Sequence, residues 1–299
     1  MIAGVDRTPV AVAAPAAARA GWAKRGRRLA GAIAWHGVLI VVCAVVLIPI
    51  VMVVLGSFKS VDEFFATPYA LPRSFDLDNY RKAWNEANLQ IALRNSIVAT
   101  TLGVAFSTGF ACLASYGLAR FRFRGRLATR MLFVGGLVVP VQLIVLPIFI
   151  LFRQIGILGD LRSLILVNAV FGIPLGVLVL TGFFGVLPRD LEEAARIDGA
   201  SHFEVFWRIM LPLSRPALAA VVILNGVWMW NDFFLGFILL TDPQSQTLPV
   251  AIMAFRGTYS TEWGLIFASV TVSALPVVAA YLLLSRQFIA GLTAGSVKG

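Results

Sequence analysis

The run from Ile33 to Leu55 contains no Asp, Glu, Lys or Arg. A helix needs about 20 mostly apolar residues to cross a bilayer. Five further runs meet that requirement: Asn95 to Leu118, Met131 to Phe152, Leu164 to Gly185, Ala217 to Leu240 and Trp263 to Ser285. Backbone polar groups in hydrocarbon must be satisfied within the segment, so such runs form helices. The sequence therefore predicts an all-α integral membrane protein of six transmembrane helices. Charged residues are 13% of the chain, against about a quarter in a soluble domain, too few to coat a globule of this length.

Lys24, Arg25, Arg27 and Arg28 precede the first run, as in the basic region of a signal peptide. The run is too long for one, however, and passes Pro49 without a small-residue cleavage site, which marks a retained anchor. Residues 1–32 read as a basic cytoplasmic arm, disordered in its Ala-rich part before Trp22. Residues 33–55 read as the first helix, 56–92 as an external segment, 93–285 as a five-helix core and 286–299 as a cytoplasmic tail.

The net charge of +10 is concentrated beside the apolar runs. Arg120, Arg122, Arg124, Arg126 and Arg130 crowd one short loop. Cytoplasmic loops carry the excess of Lys and Arg, which puts that loop and both termini inside. The basic residues lack the aromatic interleaving of a single-strand-binding surface, so no nucleic-acid partner is expected. Cys43 and Cys112 lie inside apolar runs and read as small buried hydrophobes. His36 and His202 are the only histidines. No metal site or bound cofactor is expected.

The loop 186–216 is polar and strongly patterned. Pro188, Asp190, Glu192 and Glu193 read as a helix start, with acids at the positive end of the dipole. Asp190 and Glu193 have capping-box spacing, as do Ser201 and Glu204. Gly199 suits a helix C-terminal stop, and Pro212 is expected to end the second helix. Phe203, Phe206, Trp207 and Ile209 give that second helix an apolar face. Two short helices joined at a glycine corner form an ordered knob, which either docks on a partner or packs on its own spans.

Within this loop, Glu193-Ala194-Ala195, three residues including Asp198, then Gly199, nine residues, and Ile209-x-Leu211-Pro212 resemble the EAA loop of binding-protein-dependent ABC importer permeases. Leu77-Asp78-Asn79-Tyr80, Gly117 to Phe123, Ser273-Ala274-Leu275-Pro276 and the ending Gly291 to Gly299 resemble the carbohydrate-uptake branch, in its maltose permease G-like group. The resemblance implies a type I permease fold in a bacterial inner membrane. It implies that Glu193, Ala194, Ala195, Asp198, Gly199, Ile209, Leu211 and Pro212 couple to a cytoplasmic ABC ATPase dimer. ATP and Mg would be bound by that partner. A sister permease and an extracytoplasmic sugar-binding protein complete the implied assembly. No phosphate-cradling Gly-Lys-Ser/Thr loop occurs in this chain, which agrees with an energy source elsewhere.

Polar side chains inside spans are costly and mark cavities or helix contacts. Gln142, Asn168, Asn225, Asn231 and Asp232 are the candidates. Trp228, Trp230, Asn231 and Asp232, with Asn168, offer the aromatic faces and hydrogen-bonding groups suited to a sugar in a translocation path. The same tryptophans also fit an interfacial belt, the commoner cause. Two other functions remain open: a permease for a non-sugar solute, and an intramembrane enzyme. The second lacks paired catalytic groups, since Asp232 stands alone.

Overall fold

The computed structural model describes residues 16–85, 88–256 and 261–294. The first part of the expected arm, 1–15, and the end of the expected tail, 295–299, lie outside the described residues. The chain divides into a unit ending at Met52 and a larger one beginning at Val53.

The first unit is a single helix, α1 (Ala16–Gly56), which continues a few residues past the unit boundary. It begins before the span. Residues 16–32, expected as an arm that was disordered before Trp22, extend the helix instead. Alanine is the best helix former, and Ala, Arg and Lys supply most of this stretch.

In the second unit, α2 (Val61–Ala66) and α3 (Asp78–Asn85) are short helices of the expected external segment. Next come α4 (Leu89–Arg120), α5 (Arg126–Val138), α6 (Val141–Gln154) and α7 (Leu161–Val186). The patterned loop holds α8 (Asp190–Ile197), α9 (His202–Val205), a π-turn at Phe206–Met210 and α10 (Leu211–Leu213). Then follow α11 (Arg215–Trp230), α12 (Phe234–Leu239), α13 (Leu248–Ile252) and α14 (Trp263–Ala294), with 3-10 turns at Pro243–Ser245 and Met253–Phe255. Among the described residues there is no strand, only an isolated bridge between Arg256 and Thr261.

Four helical stretches are long and apolar enough to cross a membrane: 33–56, 89–120, 161–186 and 263–283. Two bent pairs raise the number to six if each pair is one span. The first, α5 with α6, bends by 97° where the sequence predicted one continuous span from Met131 to Phe152. The cause is Pro140: the residue before proline is driven out of the α region, and Val139 sits at φ −72°, ψ 113°. Each half alone is too short for a bilayer core of about 30 Å, at about 1.5 Å per residue. The second pair, 202–213 with α11, bends by 75° at Ser214. The fifth run also breaks after Trp230, ten residues before its expected end at Leu240. At the other end α14 runs on through 286–294, the start of the expected tail.

The core is centred on α4 and α7. Gly176 faces Ala111, and Gly172 faces Ser107 and Met229, so small residues set the approach of α4, α7 and α11. Asn225 of α11 donates through Nδ2 to the Gly172 carbonyl (3.1 Å) and to Ser107 Oγ (3.3 Å), tying the three helices by one buried amide. Its polar cost is thus met inside the bundle.

The segment between α1 and α4 is held by a side chain with no signature in the sequence. Lys59 is 1% exposed, and its Nζ donates to the carbonyls of Thr67 (2.7 Å), Pro68 (3.3 Å) and Ala70 (2.6 Å). Three acceptors match the three ammonium protons. Asn79 Nδ2 donates to the Ser57 and Lys59 carbonyls, both at 2.9 Å, and fixes α3 to the same turn.

Candidate functional site

The knob is present. Helix α8 ends at Asp198, whose N–H reaches the Ala194 and Arg196 carbonyls, and Gly199 turns the chain at φ +89°. That left-handed conformation is the one expected of the glycine corner. The second helix starts on a complete capping box. Glu204 N–H donates to Ser201 Oγ (3.2 Å), and Ser201 N–H donates to Glu204 Oε2 (2.9 Å). The backbone N–H of Ser201, followed by its hydroxyl, holds the Glu204 carboxyl below the usual carboxylate range.

Two local expectations fail. No capping box forms between Asp190 and Glu193: the N-cap is Arg189, already in the α region, with no side-chain bond. With the backbone helical from Arg189, the Glu193 N–H is taken by the Arg189 carbonyl, and its exposed side chain has no cap to make. Nor does Pro212 end the second helix. Leu211 stays helical, at φ −65°, ψ −47°. The π-turn before it absorbs the missing donor: Leu211 N–H reaches back to the Phe206 carbonyl, a wider spacing than in an α-helix. The helix stops at Ser214, whose N–H and Oγ both bond the Met210 carbonyl.

One face of the knob is docked and one is free. Val205, Phe206 and Met210 are buried with Tyr116, Leu180, Phe184 and Val221 of α4, α7 and α11, and Ala195, Ile209 and Leu211 pack against that cluster. Tyr116 meets Phe206 at a centroid distance of 5.0 Å. The opposite face presents Glu193, Ala194, Asp198 and Gly199 to the surface, around an Ile197 that is 86% exposed. Phe203 and Trp207 are also mostly exposed and stack edge-on at 6.0 Å. The apolar face read from sequence is therefore split, with Phe206 and Ile209 inward and Phe203 and Trp207 outward.

An ion pair and a backbone hydrogen bond also join the knob to α4. Arg120 Nε lies 2.5 Å from Glu192 Oε1, and Arg120 Nη2 donates to the Leu187 carbonyl at 2.9 Å. The sequence marks the arginine only as a topology charge and the glutamate only as an acid at a helix start. Their pairing joins residues far apart in sequence, and no local pattern signals it.

The structure divides the candidate path residues. Asn168 is buried on α7, and Asp232 lies at the break between α11 and α12, within interaction range of the Asn168 amide. Asp232 Oδ1 accepts from Leu235 N (3.1 Å) and so starts α12. Neither amide atom of Asn168 nor Asp232 Oδ2 has a hydrogen bond of good geometry. Trp230 belongs to the packing: it is buried, and Nε1 donates to the Ser273 carbonyl (3.1 Å) on α14. Trp228 is part-exposed beside Phe171, and Asn231 is exposed, its Nδ2 on the Val227 carbonyl (2.8 Å).

Residues 107–291 match the model of the binding-protein-dependent transport system inner membrane component, and the chain belongs to that family. It is 34% identical over 251 residues to the probable ABC transporter permease protein YurM of Bacillus subtilis, covering 84% of this chain and 83% of that one. It is 33% identical over 265 residues to the diacetylchitobiose uptake system permease protein NgcG of Streptomyces coelicolor, with 88% of each chain covered. The trehalose/maltose transport system permease protein MalG of Thermococcus litoralis is 31% identical over 263 residues, 87% of this chain and 94% of that one. Among solved structures, a chain of a bacterial ABC transporter involved in import of the acidic polysaccharide alginate superposes with a TM-score of 0.77 at 22% identity, over 88% of this chain and 98% of that one. The protein is a multi-pass membrane transport component with that fold.

Proposed function

We propose that this chain is one of two permease subunits in an ATP-driven sugar importer of a bacterial inner membrane. The observation that carries the reading is the knob at 188–213: ordered, anchored by one face on α4, α7 and α11, and exposed on the other around Ile197. An ordered loop with a free apolar tip suits a protein partner. On this reading α5 with α6 is one bent span and α11 continued by α12 is another, giving six, with both termini and the knob cytoplasmic. The arginines 120–130 support that orientation.

The tip formed by Glu193, Ala194, Asp198 and Gly199 around Ile197 seats in the ATPase, while Ile209, Leu211 and Pro212 tie it to the spans. ATP and Mg are held by the ATPase dimer. Closure of that dimer draws the knobs of this chain and a sister permease together. The spans then rock between inward- and outward-open states as rigid bodies. The Lys59-pinned external segment belongs to the face that receives a loaded extracytoplasmic binding protein. Sugar as the solute is supported by relatives whose names specify diacetylchitobiose and trehalose/maltose. Asn168 and Asp232 are the better pair of path candidates, a reading supported by the burial of Trp230 with its Nε1 bonded to the Ser273 carbonyl.

The test is co-expression with candidate ATPase, sister permease and binding-protein chains. A four-part complex should purify, and vesicles containing it should take up labelled oligosaccharide only with ATP and binding protein. A chain that purifies without any ATPase, or uptake that ignores ATP, contradicts the proposal.

A further inference from the structure

The knob is joined to its spans by contacts of two kinds. Most are apolar, and apolar contacts slide at little cost because they are non-directional. The exception is the Arg120–Glu192 pair, where Nε and Oε1 are 2.5 Å apart and the side chains are only 4% and 14% exposed. A second guanidinium nitrogen holds the Leu187 carbonyl, just before α8 begins. Arg120 therefore holds the start of the knob at two points, by an ion pair to Glu192 and by a hydrogen bond from its planar guanidinium to the Leu187 carbonyl. The residue is at the last turn of α4, one turn beyond Tyr116, which stacks on Phe206 of the second knob helix. Phe121, next in sequence, meets His202 edge-on at 5.1 Å. The end of one long helix thus holds both helices of the knob.

We propose that the Arg120–Glu192 pair is a strut that makes the knob and α4 move as one body, so that force applied at the tip enters the membrane through α4. Glu192 is then a positioning residue distinct from its neighbour Glu193, which points outward and is free to meet the partner. A desolvated ion pair suits this role, because separating it would leave two charges without each other in a poorly hydrated site. This inference rests on the proposed coupling role, but its first readout does not.

Nitroxides placed at Leu191 on α8 and Leu113 on α4, both exposed, report the distance between the first knob helix and α4 in the assembled transporter. In the parent the distance distribution should be narrow and equal in nucleotide-free and ATP-bound states. In E192Q, similar in size but uncharged, it should broaden, and solute moved per ATP hydrolysed should fall about tenfold. E192D, which retains the charge, should recover most of that ratio. A parent distance that changes with nucleotide overturns the strut even if every variant fails to assemble. So does an E192Q complex with parental width and parental ratio. A fixed distance in a complex that transports no sugar would instead count against the proposed function and leave the strut standing.

Discussion

Gly176 faces Ala111 so closely across the α4–α7 contact that a β-carbon on Gly176 would lie 2.6 Å from the Ala111 methyl carbon. At Gly172, one turn earlier, an added β-carbon would meet Met229 Cε and Ser107 Cβ, both at 2.8 Å. Replacing Gly176 with Val should force the helices apart and cost about 1–3 kcal/mol. The melting temperature of the purified protein in detergent should fall, whereas Gly182→Ala, where a β-carbon meets nothing, should leave it unchanged. Equal melting of the two variants would remove the close-packing account.

Lys59→Met should loosen the segment that carries α2 and α3 without affecting membrane insertion. It removes the ammonium from three carbonyls and leaves them short of partners, at about 1–3 kcal/mol. Limited proteolysis of the purified protein should then cut within residues 61–77, where the parent resists. Parental resistance in the variant would mean that α2 and α3 hold the segment by themselves.

The glycine corner can be tested by its backbone rather than its space. A β-carbon on Gly199 meets nothing within 4 Å, so any penalty comes from φ +89°. Val at this position should be strained by about 1–2 kcal/mol and reorient α8 against α9. Asn, which tolerates the left-handed region, should be milder. The expected order of binding-protein-stimulated ATPase activity is parent, then Gly199→Asn, then Gly199→Val. Identical activity in all three would show that the corner geometry is not transmitted.

Glu204 makes the second knob helix sensitive to acid. Its carboxyl is lower in the fold than its ordinary value, chiefly through the Ser201 N–H. The stabilisation is therefore present above the ordinary carboxylate range and is lost as pH falls through the lowered value. The hydrogen-exchange protection factor at the start of α9 should fall on acidification, and Ser201→Ala should shift that fall to higher pH. A protection factor with no such dependence would contradict the capping role.

What the sequence made legible is what depends on local chemistry. Apolar runs located the long helices, the left-handed glycine at 199 was anticipated, and Ser201 with Glu204 closed the box that its spacing announced. Pro140 and the break after Trp230 were missed because an apolar run carries hydropathy but not the direction of the chain. The Asp190–Glu193 box failed because Arg189 was already helical, a backbone state that side-chain spacing does not encode. Lys59 and the Arg120–Glu192 pair needed coordinates. The partners of Lys59 are backbone carbonyls with no residue signature, and Glu192 lies in a segment remote from Arg120.

In the proposed function the exposed tip at Ile197 is the point where this chain meets the ATPase. Cross-linking from a single cysteine at position 197, in an otherwise cysteine-free chain, within membranes that contain the co-expressed ATPase, tests that contact. An adduct of the two chains whose yield changes with nucleotide is expected, with no adduct from a cysteine at Leu113 on α4. Equal yields from the two positions, or a tip that reacts only with other permease chains, would contradict it.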